Sequence, residues 1–143
     1  MRVADGMRIQ DKDFTPQLKT KIEDIEQKLK EQAERLQKEH KTAFSKKGLK
    51  LEAAFDQEGN DVFQPGYSSS ISVGFTDKNG DLIDLKIIKI WECERILLGM
   101  PVLRKFPGSK VAGELLDESP EEISIELKEY MDEILTEVTN YVD

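Results

Sequence analysis

Residues 71–91 contain the pattern that most constrains the fold of this chain. Apolar and small residues alternate in the first part, with the two-residue period of a half-buried strand. An Asn-Gly dipeptide follows at 79–80 and tolerates the positive φ angles of a tight hairpin turn. Apolar residues then occupy one face at Ile83, Leu85, Ile87 and Trp91, and the other at Leu82, Ile88 and Ile90. The pattern predicts an antiparallel hairpin whose second strand needs covering, on both faces between residues 87 and 91.

A long amphipathic helix is predicted from Thr15 to Gly48. Thr15 can cap the first amides, Pro16 suits the first helical position, and Gly48 is a natural stop. The apolar stripe consists of Leu18, Ile22, Ile25, Leu29, Ala33, Leu36, His40 and Phe44. A helix of this length spans roughly 46 Å, which exceeds the diameter of about 37 Å expected for the whole chain. We therefore expect its end to protrude, the helix to break, or its stripe to cover a partner chain.

A second helix is predicted from residue 119 to the C-terminus. Ser119 and Glu122 have the spacing of a capping box, with Pro120 at the first helical position. The apolar face is Ile123, Leu127, Tyr130, Met131, Ile134, Leu135, Val138 and Tyr141. Seven acidic residues spread over the rest: Glu121, Glu122, Glu126, Glu129, Asp132, Glu133 and Glu137. The segment 114–143 holds eleven acids and one lysine, so it carries −10 and the rest of the chain +2.

The remaining segments complete an α+β prediction. The chain is expected to be a single domain with an arm at 1–14, a helix at 15–48, an antiparallel sheet region at 49–102, a connection at 103–118 and an acidic helix at 119–143. The sheet is predicted to have three to five strands, with both helices on one face in two layers. Within these segments we expect a short edge strand around Val3, Met7 and Ile9, a strand over 49–55, a return strand from Val62, a loop over 64–70 and a short helix over 110–117.

Composition limits where this chain works and what it binds. A chain of 143 residues can bury a core without metals or disulfides, and Cys93 is its one cysteine. A single cysteine and the absence of an apolar signal core predict a cytoplasmic protein. No membrane partner is expected, since no apolar run approaches the ~20 residues of a membrane span. A net charge of −8 argues against a nucleic-acid partner.

No residue pattern predicts catalysis, a cofactor or a metal site. His40 lies on the apolar stripe of the first helix, as a packing residue would. Cys93 lies between two glutamates, which disfavour a reactive thiolate. Asp77, Asn79 and Asp81 match the start of a calcium loop, but Leu82 stands where a glycine is needed. The hairpin turn explains these three residues as well.

The size, the acidity, the sheet-and-helix layout and the lack of catalytic residues give this chain a resemblance to small acidic immunity proteins. Bacteria make these antitoxins against secreted nuclease-type toxins. The resemblance rests on no motif, so it transfers no family residues. It implies a non-enzymatic protein that binds a basic partner and blocks it by occlusion. In this chain the acids from Glu121 to Glu137 would mimic phosphate spacing and bind the basic partner surface.

Two alternatives come from other parts of the chain. In the first, the protein is a self-associating adaptor, with a second copy covering the stripe between Thr15 and Gly48 to form a homodimer. In the second, it binds a small molecule in a pocket between helix and sheet lined by Tyr67, Trp91 and Phe106.

Overall fold

The computed structural model describes the backbone of residues 6–141 and the side chains of residues 6–138. It confirms an α+β fold with one helix near each end of the chain and an antiparallel sheet between them. The elements are β1 (Met7–Gln10), a 3₁₀ turn (Asp11–Asp13), α1 (Pro16–Ser45), β2 (Lys50–Glu58), β3 (Ser68–Thr76), β4 (Leu82–Leu97), β5 (Met100–Val102), β6 (Lys110–Leu115) and α2 (Pro120–Tyr141).

Within the described residues 6–141 the sheet has six strands, more than the three to five predicted. Its order is β1-β6-β4-β3-β2, and β5 pairs with the end of β4. Strand β6 lies between two partners, because Leu115 pairs with Met7 of β1 and with Trp91 of β4. Along β4 the ladder with β6 covers only residues 91–96.

Several expectations for the connecting segments were wrong. The predicted short helix over 110–117 is strand β6, since hydrogen bonding to two neighbouring strands outweighs the local helix preference of Ala, Glu and Leu. The predicted connection at 103–118 therefore contains a strand. Val62 begins a turn instead of a return strand, and the last three residues of the predicted 64–70 loop belong to β3. Met7 and Ile9 do form an edge strand, whereas Val3 lies outside the described residues.

Both predicted helices are confirmed, and so are their caps. The Leu18 amide donates to Thr15 Oγ1 over 3.1 Å, and Gly48 has the positive φ of 77° typical of a residue after a helix end. The capping box of α2 is reciprocal, because the Glu122 amide donates to Ser119 Oγ and the Ser119 amide to Glu122 Oε1.

The described residues divide into two compact units. The first is drawn from Met1–Gln27, Asp56–Ser70 and Lys89–Asp117, and the second from Lys28–Phe55, Ile71–Ile88 and Glu118–Asp143. These units describe how the residues pack and do not test whether the chain folds as one domain. The single domain in two layers therefore stays a prediction.

The core of the first unit is built around Trp91, which is completely buried. The Phe14 and Phe63 rings stack at 4.6 Å, and both meet the indole edge-on. The indole Nε1–H donates to the Val62 carbonyl over 2.6 Å, which fixes the orientation of the ring. A buried polar pair lies in the same unit, since the Tyr67 hydroxyl donates to Glu26 Oε2 over 2.6 Å.

The core of the second unit is built around Phe75, which is also completely buried. Its ring lies 4.7 Å from Phe44 of α1 and 5.7 Å from Tyr130 of α2. Both helices therefore pack against this part of β3. The Gln37 side chain accepts a hydrogen bond from the Ala53 amide, which joins α1 to β2.

The apolar stripe of α1 is covered by the chain itself. Its buried members are Ile22, Ile25, Leu29, Ala33, Leu36 and Phe44, and His40 is half-buried as predicted for a packing residue. A second copy therefore has no exposed stripe to cover between Thr15 and Gly48.

The predicted hairpin is formed by β3 and β4, with two corrections. At the turn only Gly80 has a positive φ, of 85°, and the Asp77 amide donates to the Asp81 carbonyl across it. Along β4 the residues Ile88, Ile90 and Trp91 are buried, but Ile87 is 62 % exposed. The expected cover on both faces between residues 87 and 91 is therefore absent at Ile87.

Candidate functional site

The acidic face of α2 is the surface that the sequence predicted as a binding site. We use this name for Glu121, Glu122, Glu126, Glu129, Asp132, Glu133 and Glu137. The opposite side of the helix is held in the core by Ile123, Leu127, Met131 and Ile134, all of which are buried. The structure thus places the seven acids together on one rigid helix of about 33 Å.

Most of this charge points into solvent. Only Glu126 forms an ion pair with a described lysine or arginine, its carboxylate lying 3.2 Å from Lys86 Nζ. The other six acids are exposed. A row of exposed carboxylates without intramolecular cations produces a negative potential that attracts cationic surfaces.

A second group of carboxylates, unpredicted by the sequence, lies in the first unit. Glu92 of β4 pairs across the ladder with Glu114 of β6, and Glu94 is two residues further along β4. Lys89 forms an ion pair with Glu92, and the Gly6 amide donates to Glu114 over 2.9 Å. Antiparallel pairing of β4 with β6 brings these acids together, so only a correct prediction of β6 could have revealed the cluster.

Glu92 and Glu94 are joined by a hydrogen bond that shifts their pKa values in opposite directions. The hydrogen bond to Glu92, followed by burial, raises the pKa of Glu94 to about 7, and the same hydrogen bond lowers the pKa of Glu92. The adjoining cavity measures about 20 Å³, which holds no more than a water-sized molecule. In the described part of the chain no three His, Cys, Asp or Glu side chains are grouped so as to hold a metal ion.

We expect this carboxyl pair to make the stability depend on pH near neutrality. The folded pKa of Glu94 lies above its ordinary value of 4.5, so between pH 5 and 8 the folded state binds more protons than the unfolded state. The free energy of unfolding should therefore fall as the pH rises through about 7. Glu94→Gln should flatten this profile and stabilise the protein by about 1 kcal/mol at pH 8.

Urea titrations at several pH values measure this effect. Glu58→Gln is the control, because that side chain is exposed in β2. A Glu94→Gln profile that remains parallel to the wild-type profile between pH 5 and 8 would show that the pKa of Glu94 is not raised in the folded protein.

The other residues considered for chemistry have structural roles. Burial raises the pKa of the Cys93 thiol to about 11, with smaller contributions from Asp61 and Glu94. The thiol is therefore protonated at neutral pH, mainly through burial and only secondarily through acidic neighbours. His40 Nδ1 lies 2.9 Å from the Leu36 carbonyl, one turn earlier in α1. Asp77 Oδ1 accepts from the Asn79 and Asp81 amides and so closes the hairpin turn.

The aromatic residues of the expected small-molecule pocket do not share one environment. Tyr67 and Trp91 are buried and hydrogen-bonded within the core of the first unit. Phe106 is instead exposed in the segment between β5 and β6. Two of the three side chains therefore have no surface left for a ligand.

Two exposed apolar surfaces also escaped prediction. One is on β4, where Leu82 and Leu85 are exposed and line a depression of about 130 Å³ that reaches Ala54 of β2, and where Ile87 is also exposed. The other is the turn between β4 and β5 with the segment after it, where Leu98, Met100, Leu103 and Phe106 are exposed. Exposed patches of large apolar side chains are more informative than single exposed leucines, which are common.

The fold and these surfaces define an α+β protein with an antiparallel sheet and exposed acidic and apolar surfaces. Comparison with protein-family models, with curated proteins and with solved structures finds no match. Neither α1 nor α2, over its described residues, is long and apolar enough to cross a bilayer.

Proposed function

We propose that this chain is a non-enzymatic protein-binding domain that engages a basic protein through the acidic face of α2. The observation that carries the proposal is the row of six exposed acids, none of which pairs with a described cation. Such a row offers a complementary surface to a cluster of lysines and arginines. Because the helix is already ordered by its buried face, binding would cost little conformational entropy.

In this proposal the domain acts as an immunity protein or antitoxin, by occlusion. A nuclease-type toxin has a basic active site that accepts phosphates, and carboxylates spaced along a helix can occupy it in their place. The cytoplasm is the expected compartment.

The test is a charge reversal along one row of the helix. Glu129, Glu133 and Glu137 are four residues apart, so they lie on one side of α2. Replacing all three by lysine should weaken binding to the basic partner by at least tenfold, since three attractive contacts become repulsive. The partner is first isolated from native lysate at low salt, and its dissociation constant is then measured by calorimetry.

A matched variant separates the surface from net charge. Glu34→Lys, Glu39→Lys and Glu58→Lys change the net charge equally at exposed positions outside α2. This control should retain most of the affinity. If both triple variants bind equally well, or if the partner is retained undiminished at high salt, the acidic face of α2 is not the binding surface.

Self-association is a second candidate, favoured by the exposed apolar surface of β4. Leu82, Leu85 and Ile87 form an uncovered patch of the kind that marks protein interfaces. A second copy would then bind at β4 and not at α1. Sedimentation velocity of the wild type and of Ile87→Lys distinguishes this candidate, because only a dimer formed through β4 would dissociate in the variant.

A further inference from the structure

The turn between β4 and β5 contains a leucine with a positive φ angle. Leu97 pairs with Met100, so Leu98 and Gly99 form a two-residue loop in which both φ angles are positive, 52° and 79°. Asn-Gly is the favoured sequence for such a loop. Leu98 is the one described non-glycine residue with a positive φ, and its side chain is 93 % exposed. A leucine here lowers stability through backbone strain and through exposed apolar surface, so folding does not explain it.

Leu98 belongs to a larger exposed apolar group. Met100, Leu103 and Phe106 follow it, and Leu103 is fully exposed. We name these four residues the apolar tip. Exposed apolar patches mark sites of interaction with another protein or with a membrane.

The charge around the apolar tip is opposite to that of the whole protein. Between residues 95 and 113 there are four basic residues and no acid, which gives +4 in a chain of −8. The basic residues are Arg95, Arg104, Lys105 and Lys110. Beside the tip is a depression of about 320 Å³ lined by Leu98, Lys110 and Arg8, with Asp11 as its one acid. Basic residues next to exposed apolar side chains, both in the sequence and at this depression, favour a ligand with an anionic surface and an apolar interior.

We propose that the apolar tip inserts into the surface of an anionic phospholipid bilayer, with the surrounding lysines and arginines on the headgroups. A bilayer fits these observations better than a protein does, because it accepts side chains that project singly and it demands no matching shape. Leucine, methionine and phenylalanine beside basic residues are the composition of an interfacial anchor. The sequence prediction of no membrane partner rested on the absence of a spanning segment, and a peripheral anchor needs none.

The experiment is co-sedimentation of the protein with vesicles. Phosphatidylcholine vesicles are compared with vesicles containing 30 % phosphatidylserine, at low and high salt. We expect the wild type to partition onto the anionic vesicles at least tenfold better than onto the neutral ones, and less at high salt. No partitioning onto anionic vesicles at low salt would overturn the proposal.

The decisive variant is Leu98→Asn with Leu103→Gln. Asparagine tolerates the positive φ angle, so the variant should melt about 2–5 °C higher than the wild type while its vesicle partitioning falls at least tenfold. Arg104→Gln with Lys105→Gln should lower partitioning onto anionic vesicles and weaken its salt dependence. The control is Ile125→Gln, which removes an exposed apolar side chain from α2 and should partition like the wild type.

Two results would contradict a lipid-binding tip. One is equal partitioning of the wild type and the Leu98→Asn, Leu103→Gln variant. The other is capture of a protein that depends on the tip while vesicles do not bind, which would make that protein the occupant. None of these variants alters the seven acids of the acidic face of α2. The vesicle experiment and the binding experiment with a basic partner therefore test the two proposals independently.

Discussion

Replacing Gly113 by alanine is expected to destabilise this protein by at least about 3 kcal/mol. A Cβ at this position would lie 1.9 Å from Trp91 Cη2 and 2.4 Å from Cζ2, well inside van der Waals contact. The indole cannot turn away, because Val62 accepts its N–H and the rings of Phe14 and Phe63 pack against it. Thermal and urea unfolding would measure the loss.

The backbone at Gly113 has no freedom to move either. Gly113 pairs with Ile9 of β1 on one side and with Cys93 of β4 on the other. A shift of β6 would therefore disturb two ladders. Trp91→Phe in the Gly113→Ala background should recover part of the lost stability, since phenylalanine lacks the outer ring atoms that the new methyl group meets.

Gly74→Ala is the matched control for this prediction. Gly74 also lies inside a strand and has no positive φ, but its nearest obstacle is the Leu85 Cδ1 atom at 3.2 Å. That methyl group ends a flexible side chain that is partly exposed, so the free energy of unfolding should change by less than about 1 kcal/mol. Equal losses for the two glycines would refute the role assigned to Trp91.

Phe75→Ala is expected to cost about 3–5 kcal/mol of stability in the second unit. Phe75 is completely buried between Phe44 of α1 and Tyr130 of α2. Its removal leaves a cavity between β3 and both helices, and neither ring opposite can fill it without leaving its own contacts. Denaturant unfolding followed by the helical circular dichroism signal would measure the effect.

Phe75→Leu and Phe106→Ala complete that experiment. Leucine fills most of the space, so Phe75→Leu should cost clearly less than Phe75→Ala. Phe106 is an exposed phenylalanine, and its truncation should change the stability by less than about 0.5 kcal/mol. A small loss for Phe75→Ala would mean that the two helices do not depend on this ring.

Much of the fold could be predicted because its signals are local. The caps at Thr15 and Ser119 bond within one turn of the chain, and the stripe of α1 follows from a period of 3.6 residues. The β3–β4 hairpin closes over five residues, so Asp77 and Gly80 determine it almost alone. The acidic face of α2 was predictable for the same reason, because burial of one helix side leaves the acids on the other.

Features that depend on partners distant in the sequence could not be predicted in this way. Residues 110–115 resemble a helix locally and become a strand only because β1 and β4, far away in sequence, supply hydrogen bonds on both sides. The same pairing brings Glu114 beside Glu92 and places Gly113 against Trp91. Whether an apolar residue such as Ile87 or Leu98 is buried also depends on which element lies over it. Local signals in the sequence therefore specify the helices, their caps and the central hairpin, whereas pairing and packing between distant segments produce the carboxyl cluster, the core glycine and the exposed apolar surfaces.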